Sequence, residues 1–178
     1  MSMRVLTAAA SGILALATAS PGWAEEASAE IHEVTSDGIG ETIGTVRFAD
    51  GDHGLQLAVE VSGLTPGGHG FHLHENGSCE PAANAEGQMV AALAAGGHYD
   101  PDHTGRHAGP EGEGHLGDLP ALEADDDGRV AVELIAPRLT VADARGRSLV
   151  IHAGGDNYSD EPEPLGGGGP RVACGVVE

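Results

Sequence analysis

Strict alternation of large apolar residues with small or polar residues marks the sequence LQLAVEV at residues 55–61. Successive side chains of a β-strand point to opposite faces, so this pattern predicts a strand that buries one face. The sequence VAVEL at residues 130–134 has the same period and predicts a second such strand, with Val130, Val132 and Leu134 facing inward.

Turn-forming residues separate these and other short alternating runs, as at residues 65–68 and 125–128. No long amphipathic helix is visible, so the sequence predicts an all-β sandwich or barrel of short antiparallel strands. Two stretches, residues 76–119 and 153–170, are rich in Gly, Pro and Asp and have little periodicity. Loops of that length are usually functional.

The first 24 residues have the features of a secretory signal peptide. Arg4 is their only charge, an apolar run follows, and small residues precede the expected cleavage site after Ala24. A buried N-terminal helix is the alternative, but Glu25 and Glu26 follow the run without any helical pattern. We therefore expect an exported, periplasmic or extracellular protein with one mature domain at residues 25–178.

Export would place the chain where thiols oxidise. Cys79 and Cys174 are the only cysteines, so we expect them to form a disulfide rather than remain as inert buried thiols.

The chain is strongly acidic, with 28 Asp and Glu against 8 Lys and Arg, all eight of them Arg, and a net charge of −20. Phosphate binding needs clustered basic residues, so nucleic acid is excluded as a partner and an anionic membrane surface is disfavoured. Beyond the N-terminal segment, no apolar run approaches the roughly 20 residues of a membrane span.

Several of the ten histidines lie in or beside the two long loops. His72 and His74 share one face of a predicted strand, an arrangement that alone is more often a polar surface than a metal site. His152 ends another predicted strand.

A second group follows within a short stretch, namely His98, His107, His115 and Asp118. Three imidazoles and one carboxylate match the ligand set of a four-coordinate zinc site. Loop histidines exposed to solvent are the alternative, although Gly and Pro beside each of these residues would restrict the loop backbone.

The motifs, taken in order, resemble the copper,zinc superoxide dismutases, and more narrowly the periplasmic bacterial ones. The likeness covers nearly all of residues 30–178. It rests on GHGFHLHENGSC at 68–79, AAGGHYDP at 94–101, HAGPEG at 107–112, GHLGDLP at 114–120, VIHAGGDNYSD at 150–160 and GGGGPRVACGV at 166–176. The resemblance implies an eight-stranded antiparallel Greek-key β-barrel, an immunoglobulin-like sandwich with a metal-binding loop and an active-site loop.

The resemblance also implies two metal sites in each subunit, one copper and one zinc. The implied copper ligands are His72, His74, His98 and His152. The implied zinc ligands are His98, His107, His115 and Asp118, so that His98 is shared by both metals.

The implied activity is that of an oxidoreductase, a superoxide dismutase. It converts superoxide to O2 and H2O2 by alternate reduction and reoxidation of copper, and the zinc is structural. The resemblance gives His98 and Arg171 catalytic roles, the first as proton carrier and the second as holder of the substrate anion. Asp156 is implied to accept hydrogen bonds from His72 and His107. Relatives occur as monomers and homodimers, so subunit number stays open.

The sequence departs from the family pattern in the segment before the glycine run. Glu161 and Glu163 stand where periplasmic relatives tend to carry Lys. We therefore expect weaker electrostatic steering of superoxide than in those relatives.

Two other functions compete with the enzyme. A copper-holding or metal-buffering protein on the same scaffold would keep most ligands but lose His98 or Arg171, and both are present. A single-zinc hydrolase would need an open zinc position and a nearby general base, and the zinc set here has its full four members.

Overall fold

The structure is a computed structural model that describes residues 27–178, so the predicted signal peptide at residues 1–24 lies outside the described residues. Eleven strands are present: β1 (Ala27–Thr35), β2 (Gly38–Gly51), β3 (Gly54–Val61), β4 (Gly67–His69), β5 (Phe71–His74), β6 (Ala82–Ala83), β7 (Met89–Val90), β8 (Leu122–Ala124), β9 (Val130–Ala136), β10 (Ser148–His152) and β11 (Arg171–Val176).

Within residues 27–178, helical structure is limited to single turns. The helix α1 covers Val141–Ala144, and two 3-10 turns cover Leu93–Ala95 and Leu165–Gly167. None of the helices in the described part of the chain is long and apolar enough to span a bilayer.

The strands form a curled antiparallel sheet, a Greek-key β-barrel. Seven strands make the main sheet in the order β5-β10-β11-β1-β2-β3-β9, and β4 pairs with β8. Neighbours that are distant in sequence, such as β5 with β10 and β3 with β9, give the Greek-key connections. Because β4 and β5 are one strand interrupted at Gly70, and β6 and β7 form a small hairpin within a loop, the barrel has the eight strands predicted.

Strand β3 buries the face that its alternation predicts. Leu55, Leu57 and Val59 are each at most 1% exposed, and Val61 closes the row at 4%. Leu57 lies opposite Phe48 of β2, which is one of the largest buried side chains. Each such burial contributes about 1.5–3 kcal/mol relative to exposure, so this row is a major part of the core.

Strand β9 follows the prediction only in part. Val130 is buried, but Val132 is 38% exposed and Leu134 is half-buried, so the inward placement of Val132 was wrong. The reason is position in the sheet: β9 is an edge strand that pairs only with β3, and its middle lacks a neighbour on the other side.

The predicted disulfide between Cys79 and Cys174 is confirmed, with 5.7 Å between the Cα atoms. It joins the loop after β5 to β11 and packs with Val34, Ala92 and Val150 in a small second core. The bridged residues are 95 positions apart in the chain. Closing a loop of that size contributes on the order of 4–5 kcal/mol in the chain-entropy account.

Candidate metal centre

Strand β5 places two histidines on the face opposite two core residues. Phe71 and Leu73 enter the barrel core, while His72 and His74 share the other face, as their spacing predicts. Both imidazoles are nevertheless fully buried, because the loop at residues 76–119 folds over this face.

Backbone pairing brings distant residues to this strand. His74 forms an isolated antiparallel bridge with His98, and His72 forms one with Asp118. Strand β10 pairs with β5 on the other side and ends at His152. Residues from three separate stretches of sequence therefore meet at one edge of the barrel.

Four buried imidazoles form the first ligand group. Each offers one ring nitrogen, and these nitrogens all lie within 4.8 Å of one another in the group His72, His74, His98 and His152. Within the described residues, no hydrogen-bond partner contacts the buried atoms His72 Nδ1, His74 Nε2, His98 Nε2 and His152 Nε2.

The other nitrogen of each ring is already engaged. His72 Nε2–H donates to Asp156 Oδ2 at 2.7 Å, His74 Nδ1–H donates to the Gly96 carbonyl at 3.0 Å, and His152 Nδ1–H donates to the Gly169 carbonyl at 3.0 Å. A neutral imidazole with its N–H committed in this way keeps its lone pair on the remaining nitrogen. The tautomer that a metal ion requires is therefore set by the protein.

Burial also keeps these rings neutral. Desolvation lowers the pKa of His72 to about 3 and that of His152 to about 4. The same cause lowers the pKa of His74 and His98. All four imidazoles are thus available as neutral ligands at neutral pH, and imidazole nitrogens suit copper.

The second ligand group converges on one carboxylate oxygen. Asp118 Oδ1 lies 3.0 Å from His98 Nδ1, 3.0 Å from His107 Nδ1 and 3.3 Å from His115 Nδ1. Ligand atoms of a tetrahedral zinc site, with bonds of about 2.0–2.1 Å, lie roughly 3.3 Å apart. The three-nitrogen, one-oxygen group therefore has the composition and nearly the spacing that zinc needs.

The contacts of His107 and Asp118 give this group a negative charge that suits a cation. His107 Nδ1 lies 3.0 Å from Asp118 Oδ1, but the two atoms are not in hydrogen-bonding geometry. Within the described residues, this buried nitrogen has no hydrogen-bond partner. Burial alone would raise the pKa of Asp118, but contacts with His107, His115 and His98 outweigh it and hold the pKa well below its usual range. The carboxylate is therefore ionised where three imidazole nitrogens meet.

One ring belongs to both groups. His98 contributes Nε2 to the first group and Nδ1 to the second. The residue lies on the loop between β7 and β8 and is 5% exposed.

Asp156 connects the two groups a second time. Its buried carboxylate accepts from His72 Nε2–H at 2.7 Å through one oxygen and from His107 Nε2–H at 2.8 Å through the other. The backbone N–H of Tyr158 donates to the same carboxylate at 2.7 Å. Burial opposes ionisation, but these hydrogen bonds hold the pKa of Asp156 below its usual range.

Arg171 lies beside the first group and is half-buried. Its guanidinium donates to the carbonyls of Ala92 and Gly96, the latter at 2.6 Å. The Gly96 carbonyl also accepts from His74, so one oxygen links the cation to a ring of the first group. Arginine has five N–H donors, so this pairing leaves others for an anion.

The other histidines fall outside both groups. Both nitrogens of His69 lie 2.7 Å from backbone carbonyls, those of Thr65 and His152, as expected for a structural role. His53 and His103 are exposed.

The structure also assigns contacts that the sequence did not predict. Asp160 accepts a hydrogen bond from the backbone N–H of His107 at 2.9 Å. Arg138 donates to four carbonyls of the loop between His107 and Asp118. A sequence signal existed only for Asp160, which ends the motif VIHAGGDNYSD; Arg138 has no neighbouring motif that indicates such a role.

Comparison with known families gives a consistent picture. A profile described as copper/zinc superoxide dismutase (SODC) matches residues 42–177. The copper–zinc superoxide dismutase of Escherichia coli is 50% identical over 167 residues, which cover 93% of this chain and 96% of that protein.

Solved structures agree with the sequence comparison. The copper/zinc superoxide dismutase from Brucella abortus superposes with a TM-score of 0.83 at 53% identity, covering 86% of this chain and 100% of the other. The monomeric copper, zinc superoxide dismutase from Salmonella enterica gives a TM-score of 0.76 at 51% identity, with 85% and 98% coverage.

Proposed function

The chain belongs to the copper/zinc superoxide dismutase family, and from that membership we propose how its residues carry the reaction. It is an oxidoreductase that converts superoxide to O2 and H2O2, with one copper and one zinc per subunit. When bound, copper supplies one-electron exchange with superoxide, and zinc supplies fixed charge without redox chemistry. The proposed copper ligands are His72, His74, His98 and His152, and the proposed zinc ligands are His98, His107, His115 and Asp118.

The observation that carries this assignment is the set of buried ring nitrogens without partners. Leaving a polar atom buried and unpartnered costs about 1–3 kcal/mol. Four such atoms point into one space while the opposite nitrogens of three of the rings donate to carbonyl or carboxylate oxygens. A folded protein has reason to retain this arrangement only if the nitrogens bind something, and a cation is what neutral imidazoles bind.

His98 is the proposed proton carrier. Its Nδ1 lies 3.0 Å from Asp118 in the zinc group, so Nε2 is the nitrogen that can take up and release a proton. That nitrogen faces the copper group, where the reduced substrate needs protons to become H2O2.

Arg171 is the proposed holder of the substrate anion. Its guanidinium is fixed by two loop carbonyls and retains free donors, which suit a small diatomic anion. Its position next to His74 places the anion at the copper group rather than at the zinc group.

The test is metal analysis combined with a dismutation assay, on the parent protein and on His98→Ala. We expect one copper and one zinc per parent chain, and a loss of at least about 100-fold in turnover in the variant, the scale of general acid catalysis. Copper bound without turnover in the parent would indicate the metal-buffering alternative, which the family membership does not favour. Zinc alone with esterase or peptidase activity would indicate the hydrolase.

We further propose that the protein is exported after cleavage behind Ala24. The signal-like composition of residues 1–24 supports this, and so does the disulfide between Cys79 and Cys174, since disulfides persist in oxidising compartments. N-terminal sequencing of the mature protein from cell fractions tests the proposal. A cytosolic protein that retains residues 1–24 would contradict it.

A monomer or a homodimer is compatible with the proposed site, because both ligand groups are completed within one chain. The Salmonella enterica relative is monomeric. Light scattering at several protein concentrations would distinguish the two states, and we expect activity per chain to be independent of the outcome.

A further inference from the structure

Arg138 extends from the turn between β9 and α1 into the loop that carries His107 and His115. Its guanidinium donates to backbone carbonyls at four positions of that loop. The contacts are Nε–H to Pro110 at 3.1 Å, Nη1–H to Gly114 at 3.2 Å, Nη2–H to Gly109 at 3.4 Å, and Nη2–H to His115.

The backbone around Arg138 is anchored to the barrel, which fixes where its guanidinium can reach. Ala136 and Leu139 are buried, each only 2% exposed, and the N–H of Leu139 donates to the Ala136 carbonyl. Thr140 begins α1 with a capping box, and the N–H of Val141 donates to Asp50 Oδ1 at 2.8 Å.

The loop segment between His107 and His115 has few backbone donors for its carbonyls: of the four that Arg138 contacts, only the Gly109 carbonyl also accepts a backbone N–H from the described residues, that of Gly112 at 3.3 Å. Residues 107–115 contain no helix or strand, so no regular ladder supplies backbone donors. Buried or partly buried carbonyls need such donors. The guanidinium has five N–H groups in a rigid planar fork and can serve several carbonyls at once.

The loop is also closely packed around the same segment. A Cβ added at Gly112 or Gly114 would lie 2.8 Å or less from atoms of Ala108. The N–H of Ala108 donates to Asp118 Oδ2 at 3.0 Å. The segment that Arg138 binds is therefore continuous with the residues that place the ligand carboxylate.

We infer that Arg138 is a positioning residue for zinc, which holds residues 109–115 so that His107 and His115 meet Asp118. It acts through the backbone, since its hydrogen bonds go to carbonyls and not to ring nitrogens. A loop ordered before the metal arrives loses less conformational freedom on binding, so the effect is on zinc affinity. The inference rests on the proposed zinc ligands.

The test uses the metal-loaded full chain and the variants Arg138→Met and Arg138→Lys. The amounts of zinc and copper that each variant retains are measured at increasing chelator concentrations. In a second measurement, cobalt replaces zinc and its visible spectrum reports the geometry of the site. We expect Arg138→Met to weaken zinc retention by about 10- to 100-fold, the usual range for residues that support a metal ligand. Copper retention at saturating zinc should change less than about 3-fold, which is small beside that range.

Arg138→Lys separates positioning from charge and keeps the test usable if Arg138→Met does not fold. A single ammonium keeps the charge but cannot span four carbonyls, so zinc retention should fall by an intermediate factor with an altered cobalt spectrum. Arg145→Met is the matched control, since Arg145 also lies between β9 and β10 but is exposed to solvent. The Arg145→Met variant should retain zinc like the parent.

Zinc retention within twofold of the parent in both Arg138 variants would overturn the inference and leave the proposed ligands intact. Equal weakening of zinc retention and copper retention would also overturn the inference, because that result would indicate a general destabilisation of the fold. A parent protein that binds no zinc would overturn both the inference and the proposed function.

Discussion

Asp156 joins residues of the two metal groups without belonging to either. Its two oxygens accept from His72 and His107, and both bonds are shorter than 3 Å. An amide in the same place can accept with only one of its two terminal atoms, so one imidazole N–H would face another donor.

Asp156→Asn should therefore weaken metal retention by about 10- to 100-fold, as expected when the partner of a metal ligand is lost. Competition with chelators measures this for zinc and copper separately. Asp102→Asn is the control, since Asp102 is an exposed acid of the loop at residues 76–119 and belongs to neither ligand group. Unchanged retention in Asp156→Asn would mean that the carboxylate does not orient the rings.

At the scale of elements, the loop at residues 153–170 shows why one glycine is needed. Gly166 has a φ of +73°, and a Cβ there would lie 2.0 Å from Asp156 Oδ1 and 2.8 Å from His107 Nε2. Gly167 has a similar φ of +78°, but its added Cβ would meet only Glu163 at 3.6 Å.

These two positions make a matched pair. Gly167→Ala should cost about 1 kcal/mol of folding free energy through backbone strain alone, with metal retention unchanged. Gly166→Ala should show the same strain and also lose zinc, because the new methyl group displaces Asp156 from His107. Denaturant unfolding and metal analysis of both variants check this, and equal zinc contents would contradict the steric argument.

The acidic residues Glu161 and Glu163 of the same loop are the basis for the weaker electrostatic steering that we expect for superoxide. Glu161 and Glu163 are exposed, and only charges within a Debye length of about 8 Å act strongly at physiological salt. We expect kcat/KM of the parent to stay flat or rise as salt is added, because screening removes repulsion as well as attraction.

Replacing Glu161 and Glu163 together by Gln should raise kcat/KM at low salt by about 2- to 5-fold, less than the roughly 10-fold at which strong electrostatic steering begins, because only two charges are removed. The variant with Glu60→Gln and Glu133→Gln has the same net charge but changes exposed residues of β3 and β9, which lie at the edge of the main sheet opposite β5, so its rate should stay near that of the parent. A clear fall of the parent's kcat/KM with added salt would refute weak steering.

Elements differ in how far the sequence predicts them. The alternation at residues 55–61 predicts β3 and its buried face, because a strand's side-chain period depends only on its own backbone. Val132 was placed wrongly because exposure at an edge depends on neighbours that the local pattern does not contain. The motifs indicated the residues of both ligand groups, which the structure brings together. The loop conformation depends on long-range contacts of Arg138 and Asp160, which no local pattern encodes.

For the whole molecule, the burial of several histidines leads us to expect that the metal-free protein is sensitive to acid. Desolvation lowers the pKa of His72 to about 3 and of His152 to about 4, from an ordinary 6.5, and it lowers those of His74 and His98. Below pH 6.5 the unfolded chain binds protons at these rings and the folded chain does not, so stability falls as the pH is lowered.

The opposite sign holds for His107, where burial would lower the pKa but Asp118 and Asp156 raise it to about 9. His107 therefore stabilises the folded chain fully below its ordinary pKa of 6.5, and this stabilisation is lost as the pH rises towards 9. The unfolding free energy of the metal-free chain should therefore be greatest near pH 6.5 and fall on the acid side by up to about 1.4 kcal/mol per pH unit for each buried histidine. Denaturant titrations from pH 4.5 to 9 test this, and stability that rises between pH 6.5 and 4.5 would contradict it.

The shared carbonyl of Gly96 has a mechanical consequence. His74 Nδ1–H and Arg171 Nη2–H both donate to that one oxygen, so a small displacement of the loop at Gly96 would act on the imidazole and the guanidinium together. We therefore expect the spacing between the imidazole of His74 and the guanidinium of Arg171 to vary less than the position of either group relative to the protein surface.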